Sequence, residues 1–468
     1  MAERSGSRLG RWDFGALARA AEVRPSGGEL PAHIEAVGTD TRSLPPACLF
    51  VALTGDNFDG HQFVRQAVAK GALAVMIEAR VAAEFTDLKV PRLVVSDTRA
   101  ALAMMARQAR GSLQEPVVAV TGSNGKTTTK ELIAAALSDR IVHKTTGNLN
   151  NLLGVPLTIL AWPTDAQVAV IEMGMSAPGE IAELTLIAQP TVGVITNVGP
   201  AHLEGVGTIE DVARAKGELF ANLPARGTAI INADDPIIGG ICVPLISHQA
   251  KLTFGRSPGC DVRIDGYAAT ESGSRIRLIV QGTPMEIHSV LPGPHNAMNT
   301  AAATAAAIAI GTSLADIEAG LLAVKVPGGR MRVVAAAREL HLVDDTYNAN
   351  PYSMRAAFVT LAELASGRRI AVLGDMLELG DESEDLHREV GRAAATSGIG
   401  WVLTLGAFAQ AMADGASNAG ASAHGYDTIE ALLADLDGGL RPGDWVLVKG
   451  SRGMHMERVV ELLMKVKA

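Results

Sequence analysis

Val117-Val118-Ala119-Val120-Thr121-Gly122-Ser123-Asn124-Gly125-Lys126-Thr127-Thr128-Thr129-Lys130 is the stretch whose reading decides the fold. Val117 to Val120 is a run of β-branched and small apolar residues, the composition of a buried parallel strand. Gly122 and Gly125 interrupt it, and Lys126 opens an apolar-periodic stretch through Leu137 that predicts a helix. Strand, glycine loop and helix in that order build a phosphate cradle. Loop amides and the helix N-terminus face anionic oxygens, Lys126 adds a point charge, and a Thr127 or Thr128 hydroxyl can reach Mg²⁺. The full phosphate-loop pattern wants a further glycine where Val120 stands. A lysine-capped turn could read the same way, but the flanking strand, the helix and the three threonines favour nucleotide phosphate binding.

Outward from this loop, the chain keeps alternating strand and helix. Strand-like runs recur at 168–172, 192–197 and 228–232, with helical patterns at 178–187 and 209–223. That is a βαβ alternation, and it predicts a mostly parallel sheet that binds ligands at the carboxyl ends of its strands. Glu172, Asn197, His202, Asn232 and Asp234 cluster at those ends. From 251 to 290 the pattern is strand-like without helices, as in an antiparallel flap or extension, and 296–310 reads as a helix. Before the loop, residues 1–112 read as a small α/β unit with strands at 48–53, 72–77 and 93–96 and a helix at 62–70. Val326-Pro327-Gly328-Gly329-Arg330 breaks the pattern and predicts a hinge. Strands then return at 341–344, 370–374, 401–405 and 445–449, with a closing helix at 454–465. Gly450-Ser451-Arg452-Gly453 follows the last strand and could cradle a carboxylate or phosphate, although such turns are often only turns.

The chain has 468 residues, too many for one ordinary core, so two to four domains are expected. Its composition, 48% hydrophobic and 19% charged, is globular rather than disordered. A net charge of −9 argues against a nucleic-acid binder. Cys48, Cys242 and Cys260 show no paired or metal-binding spacing, which suits a reducing cytosol. The first residues lack the apolar core of a signal peptide, and no window reaches the ~18–20 apolar residues of a membrane span. No membrane insertion is expected.

Three side chains invite chemistry, each against a plainer reading. Glu172 ends a strand beside the loop and suits Mg²⁺, though it could cap a helix or pair with a cation. His202 stands in a glycine-proline loop at the active edge, where a histidine is still often structural. Lys216 lies in a helical pattern, and a solvated lysine would be the default.

Beyond these readings, the motifs carry a resemblance. Thr121 to Thr128 is similar to the ATP loop of the Mur ligase family, whose members also lack the first glycine. Gly147-Asn148-Leu149-Asn150-Asn151, Glu172-Met173-Gly174, Asn197-Val198-Gly199 with His202, Asn232-Ala233-Asp234-Asp235, and His295-Asn296 with Asn299 extend the match over nearly the whole chain. Asp345-Thr346-Tyr347-Asn348-Ala349-Asn350-Pro351 and Gly374-Asp375-Met376-Leu377-Glu378-Leu379-Gly380 resemble the branch that adds a dipeptide.

The resemblance implies three α/β domains: 1–112 for the UDP-linked substrate, 113–325 as the central ATP-binding P-loop domain with a mostly parallel sheet, and 326–468 as a Rossmann-like domain for the incoming dipeptide. It implies that Lys126 and the loop from Thr121 through Gly122, Ser123, Asn124, Gly125, Thr127 and Thr128 bind the ATP phosphates. Thr127 and Glu172 would hold Mg²⁺, and His202 a second ion. Lys216 matches the lysine that relatives carbamylate with CO₂, so Lys126, His202 and Lys216 are the expected catalytic residues. His295, Asn296 and Asn299 would line the adenine and ribose pocket, with Arg330 reaching the phosphates. Asp40-Thr41-Arg42 resembles the Asp-Ser-Arg that holds the uridine diphosphate end. Asn148, Asn150, Asn151, Asp345, Asn348 and Asn350 complete the expected substrate contacts.

The implied reaction joins D-alanyl-D-alanine to UDP-N-acetylmuramoyl-tripeptide, with ATP and Mg²⁺, in the cytoplasm and as a monomer. A sister ligase, a folylpolyglutamate synthase and a non-catalytic ATP-binding regulator are the rivals. The sequence from Asn348 to Pro351 speaks against the first two. Lys126, Glu172, His202 and Lys216 together speak against the third.

Overall fold

The structure, a computed structural model, describes residues 12–55, 58–200, 203–270, 273–325, 328–336 and 339–465. Three large sheets carry it. The first has four parallel strands in the order Ala36–Gly38, Cys48–Val51, Ala74–Glu78 and Arg92–Val95. The helix Thr98–Gly111 follows, capped by the Asp97 carboxylate, which accepts the amides of Arg99 and Ala100. That helix has no counterpart in the sequence reading, because its apolar face is built mainly from alanines.

The central sheet has nine strands. Its order is Val142–Lys144, Val168–Glu172, Val117–Thr121, Val192–Ile195, Thr228–Asn232, Ala250–Gly255, Val262–Thr270, Gly273–Val280 and Thr283–Ser289. Val117–Thr121 is buried along its whole length between two parallel neighbours, which is why it is apolar throughout. The 251–290 region is no separate flap. Ala250–Gly255 and the start of Val262–Thr270 continue the parallel sheet, and only the last two pairings are antiparallel. The helix Pro294–Ile310 is ended by Gly311 in a left-handed conformation.

The third sheet runs Arg332–Ala335, His341–Asp345, Trp445–Lys449, Arg369–Gly374, Trp401–Leu405 and Ser422–Tyr426, parallel except for its first pair. The α/β class and the mostly parallel P-loop sheet are as expected.

The apolar cores are divided unevenly. Leu49, Val51 and Met76 of the first sheet belong to the same cluster as Val117, Ala119 and Ile171 of the central one. Two buried polar links reinforce that joint. The Trp12 indole donates to the Leu160 carbonyl at 2.8 Å, and Arg110 Nε donates to the Ala188 carbonyl at 2.8 Å. The clusters of the third sheet contain none of the described residues before Met331. Among the described residues, no helix is long and apolar enough to cross a membrane. The three cysteines are free, with Cys48 and Cys242 buried.

Candidate active site

The phosphate loop is shaped by two glycines with left-handed backbones. A Cβ on Gly122 (φ +148°) would stand 1.9 Å from Thr196 Oγ1, and one on Gly125 (φ +79°) 2.5 Å from Asn299 Oδ1. Lys126 opens the helix and folds back, its Nζ donating to the Gly122 carbonyl at 2.7 Å. Asn197 laces the loop from the next strand. Its backbone carbonyl accepts the Ser123 amide at 2.9 Å, and its Oδ1 accepts the Asn124 amide at 2.9 Å. Those two loop amides are therefore engaged, a correction to the expectation that the whole loop faces phosphate. The first-turn amides of the helix, which have no acceptor within it, remain for an anion.

Strand register sets Glu172 beside this loop. Glu172 stands opposite Val120 on the neighbouring strand, so the two strand ends lie side by side. Its Oε1 accepts from Asn150 Nδ2 at 2.9 Å. Its Oε2 is buried, has no hydrogen bond among the described residues, and lies 3.7 Å from Lys130 Nζ. Lys130, itself 2% exposed, also donates to the Thr145 carbonyl at 2.8 Å and pairs with Glu131 at 3.2 Å. Sequence reasoning missed Lys130. Its four-residue spacing from Lys126, which puts both on one helix face, was the available signal.

These groups open on one cleft of about 1330 Å³. Ser123 through Thr128, Asn148, Asn150, Asn151, Glu172, His295, Asn296, Asn299, Arg330, Asp345, Asn348 and Asn350 all line it. Thr121 and Gly122 lie beneath, in the loop's base. Burial pulls the Lys126 ammonium below its ordinary range, and Arg330 adds to this while Glu172 opposes it. Burial likewise pulls His295 down to about 4, and its Nδ1 is buried without a partner among the described residues. Asn296 and Asn299 spend their amides on the fold. Asn296 Nδ2 donates to the Pro292 carbonyl at 2.7 Å and Asn299 Nδ2 to Asn296 Oδ1 at 3.1 Å.

The third sheet closes the cleft. Asp345 Oδ2 pairs with Lys449 Nζ at 2.6 Å, while its Oδ1 accepts the Met331 amide at 3.1 Å. The Arg330 guanidinium stacks 3.9 Å over the Tyr347 ring. Asn350 caps the helix Pro351–Leu364 through its Oδ1, and its Nδ2 reaches Asn124 Oδ1 at 2.7 Å. Of the hinge read from 326–330, residues 326 and 327 lie outside the described residues.

Models of the Mur ligase family match three consecutive segments: the family's catalytic domain at residues 33–110, the middle domain at 120–307 and the glutamate ligase domain at 329–452. The UDP-N-acetylmuramoyl-tripeptide–D-alanyl-D-alanine ligase of Escherichia coli is 40% identical, the alignment covering 92% of this chain and 94% of that protein. The chain belongs to the Mur ligase family. It is an ATP-dependent amide-bond-forming ligase, and its reaction is a ligation in peptidoglycan precursor synthesis. A MurF crystal structure from Acinetobacter baumannii superposes with a TM-score of 0.88 at 34% identity, covering 97% of this chain and 99% of that one. MurF from Thermotoga maritima, solved in complex with ADP, gives 0.81 at 30% identity over 92% and 97% of the two chains.

Besides Thr121 and Gly122, four of the described residues expected from the Mur ligase resemblance, Asp40, Thr41, Arg42 and Lys216, sit elsewhere than the cleft's lining. Asp40, Thr41 and Arg42 lie on the first sheet's side, outside it. There Arg42 grips Asp40 with two nitrogens, Nε at 3.0 Å and Nη2 at 2.7 Å, and this hydrogen bonding holds the Asp40 carboxyl down at about 2. Thr41 Oγ1 donates to Gln66 Oε1 at 2.8 Å. Lys216 is not solvated, contrary to the default reading. It is 1% exposed in the helix Ile209–Ala221, behind the cleft wall. Burial, and then the Lys126 charge, hold its amine well below the ordinary lysine range. His202 lies outside the described residues. Among those described, no group of three or more His, Cys, Asp or Glu could hold a metal ion.

Proposed function

We propose that this Mur ligase joins D-alanyl-D-alanine to UDP-N-acetylmuramoyl-tripeptide through an acyl phosphate, releasing ADP and phosphate. The observation that carries this reading is the contact between Asn350 and Asn124. It brings the loop that resembles the dipeptide-adding branch onto the phosphate loop itself. An amine held by the first loop would then meet a carboxylate activated at the second. The relatives' names support the same choice of substrates.

A carboxylate is a poor electrophile, so the γ-phosphoryl is first moved onto it. That step needs positioning and charge neutralisation, the work of Lys126, the helix amides and Arg330. The amine then attacks the acyl carbon, a negatively charged tetrahedral species forms, and phosphate leaves. Arg330, Met331, Tyr347 and Asn348, lining the cleft from the third sheet, would exclude water that would otherwise hydrolyse the acyl phosphate.

The donor set fits Mg²⁺: Thr127 offers a hydroxyl and Glu172 a buried carboxylate oxygen without a hydrogen bond among the described residues, both on the cleft. When bound, the ion would neutralise phosphate oxygens; His202 remains our candidate for a second ion. Lys216 would act as a carbamate, since burial favours the neutral amine that CO₂ requires. His295, Asn296 and Asn299 would wall the nucleoside pocket. Asp40, Thr41 and Arg42 would take the uridine diphosphate. Asn148, Asn150, Asn151, Asp345 and Asn348 would flank the peptides. Residues 1–112, 113–325 and 326–468 are the corresponding three domains of a cytoplasmic monomer.

A coupled ADP-release assay tests the reading, with each candidate amine omitted in turn. Turnover that requires D-alanyl-D-alanine supports it. Equal turnover with a single amino acid, or none with the dipeptide, overturns it.

A further inference from the structure

Trp445–Lys449 lies between His341–Asp345 and Arg369–Gly374, all three parallel, so the loops leaving them emerge side by side. The two outer loops reach the cleft, the first with Asn348 and Ala349, the second with Glu378. The middle loop, 450–453, does not line it. Its serine is instead turned inward. Ser451 is 3% exposed. Its Oγ accepts the Leu377 amide at 2.9 Å and donates to the Ala349 carbonyl at 3.4 Å. Its own amide donates to the Asp375 carbonyl at 3.0 Å. One residue is thereby bonded to both outer loops, and its hydroxyl is spent on them. The carboxylate or phosphate cradle anticipated for this turn does not form around that hydroxyl.

The packing around the turn is equally close. A Cβ on Gly450 would stand 2.6 Å from Met456 Cγ and 3.1 Å from Gly374 Cα, so the middle loop presses directly on the backbone of its neighbour. On the other side, Lys449 Nζ donates to the Asn348 carbonyl at 2.8 Å. Lys449, which also pairs with Asp345, and Ser451 therefore both grip the first loop, and Ser451 grips the second.

We propose that Ser451 is a positioning residue for the amine substrate. It fixes the spacing of the 345–351 and 374–380 loops so that Asn348 and Glu378 face one dipeptide. The inference rests on the reading that the dipeptide binds between these loops. Two neutral hydrogen bonds tie the loops in the free protein. Without them, binding must order the loops itself, and that cost falls on the dipeptide's affinity.

Two substitutions separate this from a general packing role. Ser451→Ala removes both side-chain bonds. Ser451→Thr keeps the hydroxyl, and the extended backbone there (φ −61°, ψ 154°) accepts a β-branched residue. Steady-state ADP release is measured while each substrate is varied in turn. We expect Ser451→Ala to raise KM for D-alanyl-D-alanine about tenfold, with KM for ATP and the UDP-linked peptide within about twofold, and Ser451→Thr to match the parent. An unchanged dipeptide KM, an equal rise in all three, or a threonine variant as weak as the alanine one overturns the inference. Should the alanine variant not fold, Ser451→Cys, with its weak thiol donor, is judged by the same criteria. A parent enzyme without dipeptide-dependent turnover overturns the functional reading, and this inference with it. Normal parent turnover with an indifferent Ser451→Ala overturns the inference alone.

Discussion

Asn350 Nδ2 and Asn124 Oδ1 meet at 2.7 Å although 226 residues separate them. The same asparagine caps a helix with its Oδ1, accepting the Ser353 amide at 2.9 Å. Both ends of one amide are therefore in use, one for the fold and one for the junction with the phosphate loop.

Asn350→Ala removes both bonds, so it should lower stability by about 0.5–2 kcal/mol, the usual cost of a lost cap, besides weakening turnover. Asn350→Asp keeps the cap acceptor but loses the donor and sets a carboxylate beside the phosphate loop. Its melting temperature should stay near the parent's while ADP release falls. Equal melting temperatures for Asn350→Ala and the parent would contradict the capping role.

Lys126→Ala should cost about 2.7–4 kcal/mol of barrier, roughly 10²–10³ in rate, as for loss of one preorganised donor to developing charge. Near-parental turnover in a folded variant would refute the phosphate-loop assignment.

Lys130 shares its buried charge with Glu131 and Glu172. Lys130→Met would leave the buried Glu172 Oε2 without its cation, while Glu131 keeps Lys144, and breaking such a buried pair costs about 3–5 kcal/mol. Denaturant titration should show that loss; a midpoint unchanged from the parent would mean that carboxylate is solvated or protonated instead.

His295 gives a pH signature. Burial sets its folded value at about 4 against 6.5 in the open chain. Between those values the unfolded chain holds a proton that the folded one has shed. The stabilising contribution of neutral His295 is thus complete above pH 6.5 and is lost as the pH falls from 6.5 through 4. Melting temperature should fall more steeply over that window in the parent than in His295→Gln. Parallel curves would disprove the burial effect.

Lys216 should need CO₂. The neutral amine adds to the carbon of CO₂ and sheds one proton, leaving an anionic carbamate. Activity should drop when CO₂ is stripped at mildly acidic pH, and a short carboxylic acid should partly restore Lys216→Ala. Indifference to both treatments leaves Lys216 a packing residue.

What could be read from sequence was whatever local pattern dictates. Val117–Thr121, Val168–Glu172 and Trp445–Lys449 are continuous apolar runs, and burial on both faces makes them so. Glu172 could be set beside Lys126 because strand ends share an edge. Ser422–Tyr426 escaped notice because an edge strand of serine, histidine and glycine carries no apolar run. Lys216 misled for a different reason. A helical period shows which residues share a face, but not which face is covered. The Asp40–Arg42 grip and the Ser451 clasp depend on where loops fold back, and no spacing encodes that.

The shared core between the first and central sheets has a bearing on how the enzyme can move. Swinging the first sheet away would tear Leu49, Val51 and Met76 from Val117, Ala119 and Ile171 and expose apolar surface to water. The third sheet keeps its own clusters whole in any orientation, so its displacement would break the contact between Asn350 and Asn124 and the packing of Tyr352, Ala356 and Val359 near Pro294 and Met298, but would open no shared core. If the enzyme opens, the division of its cores therefore favours movement of the last third of the chain against a base formed by the other two.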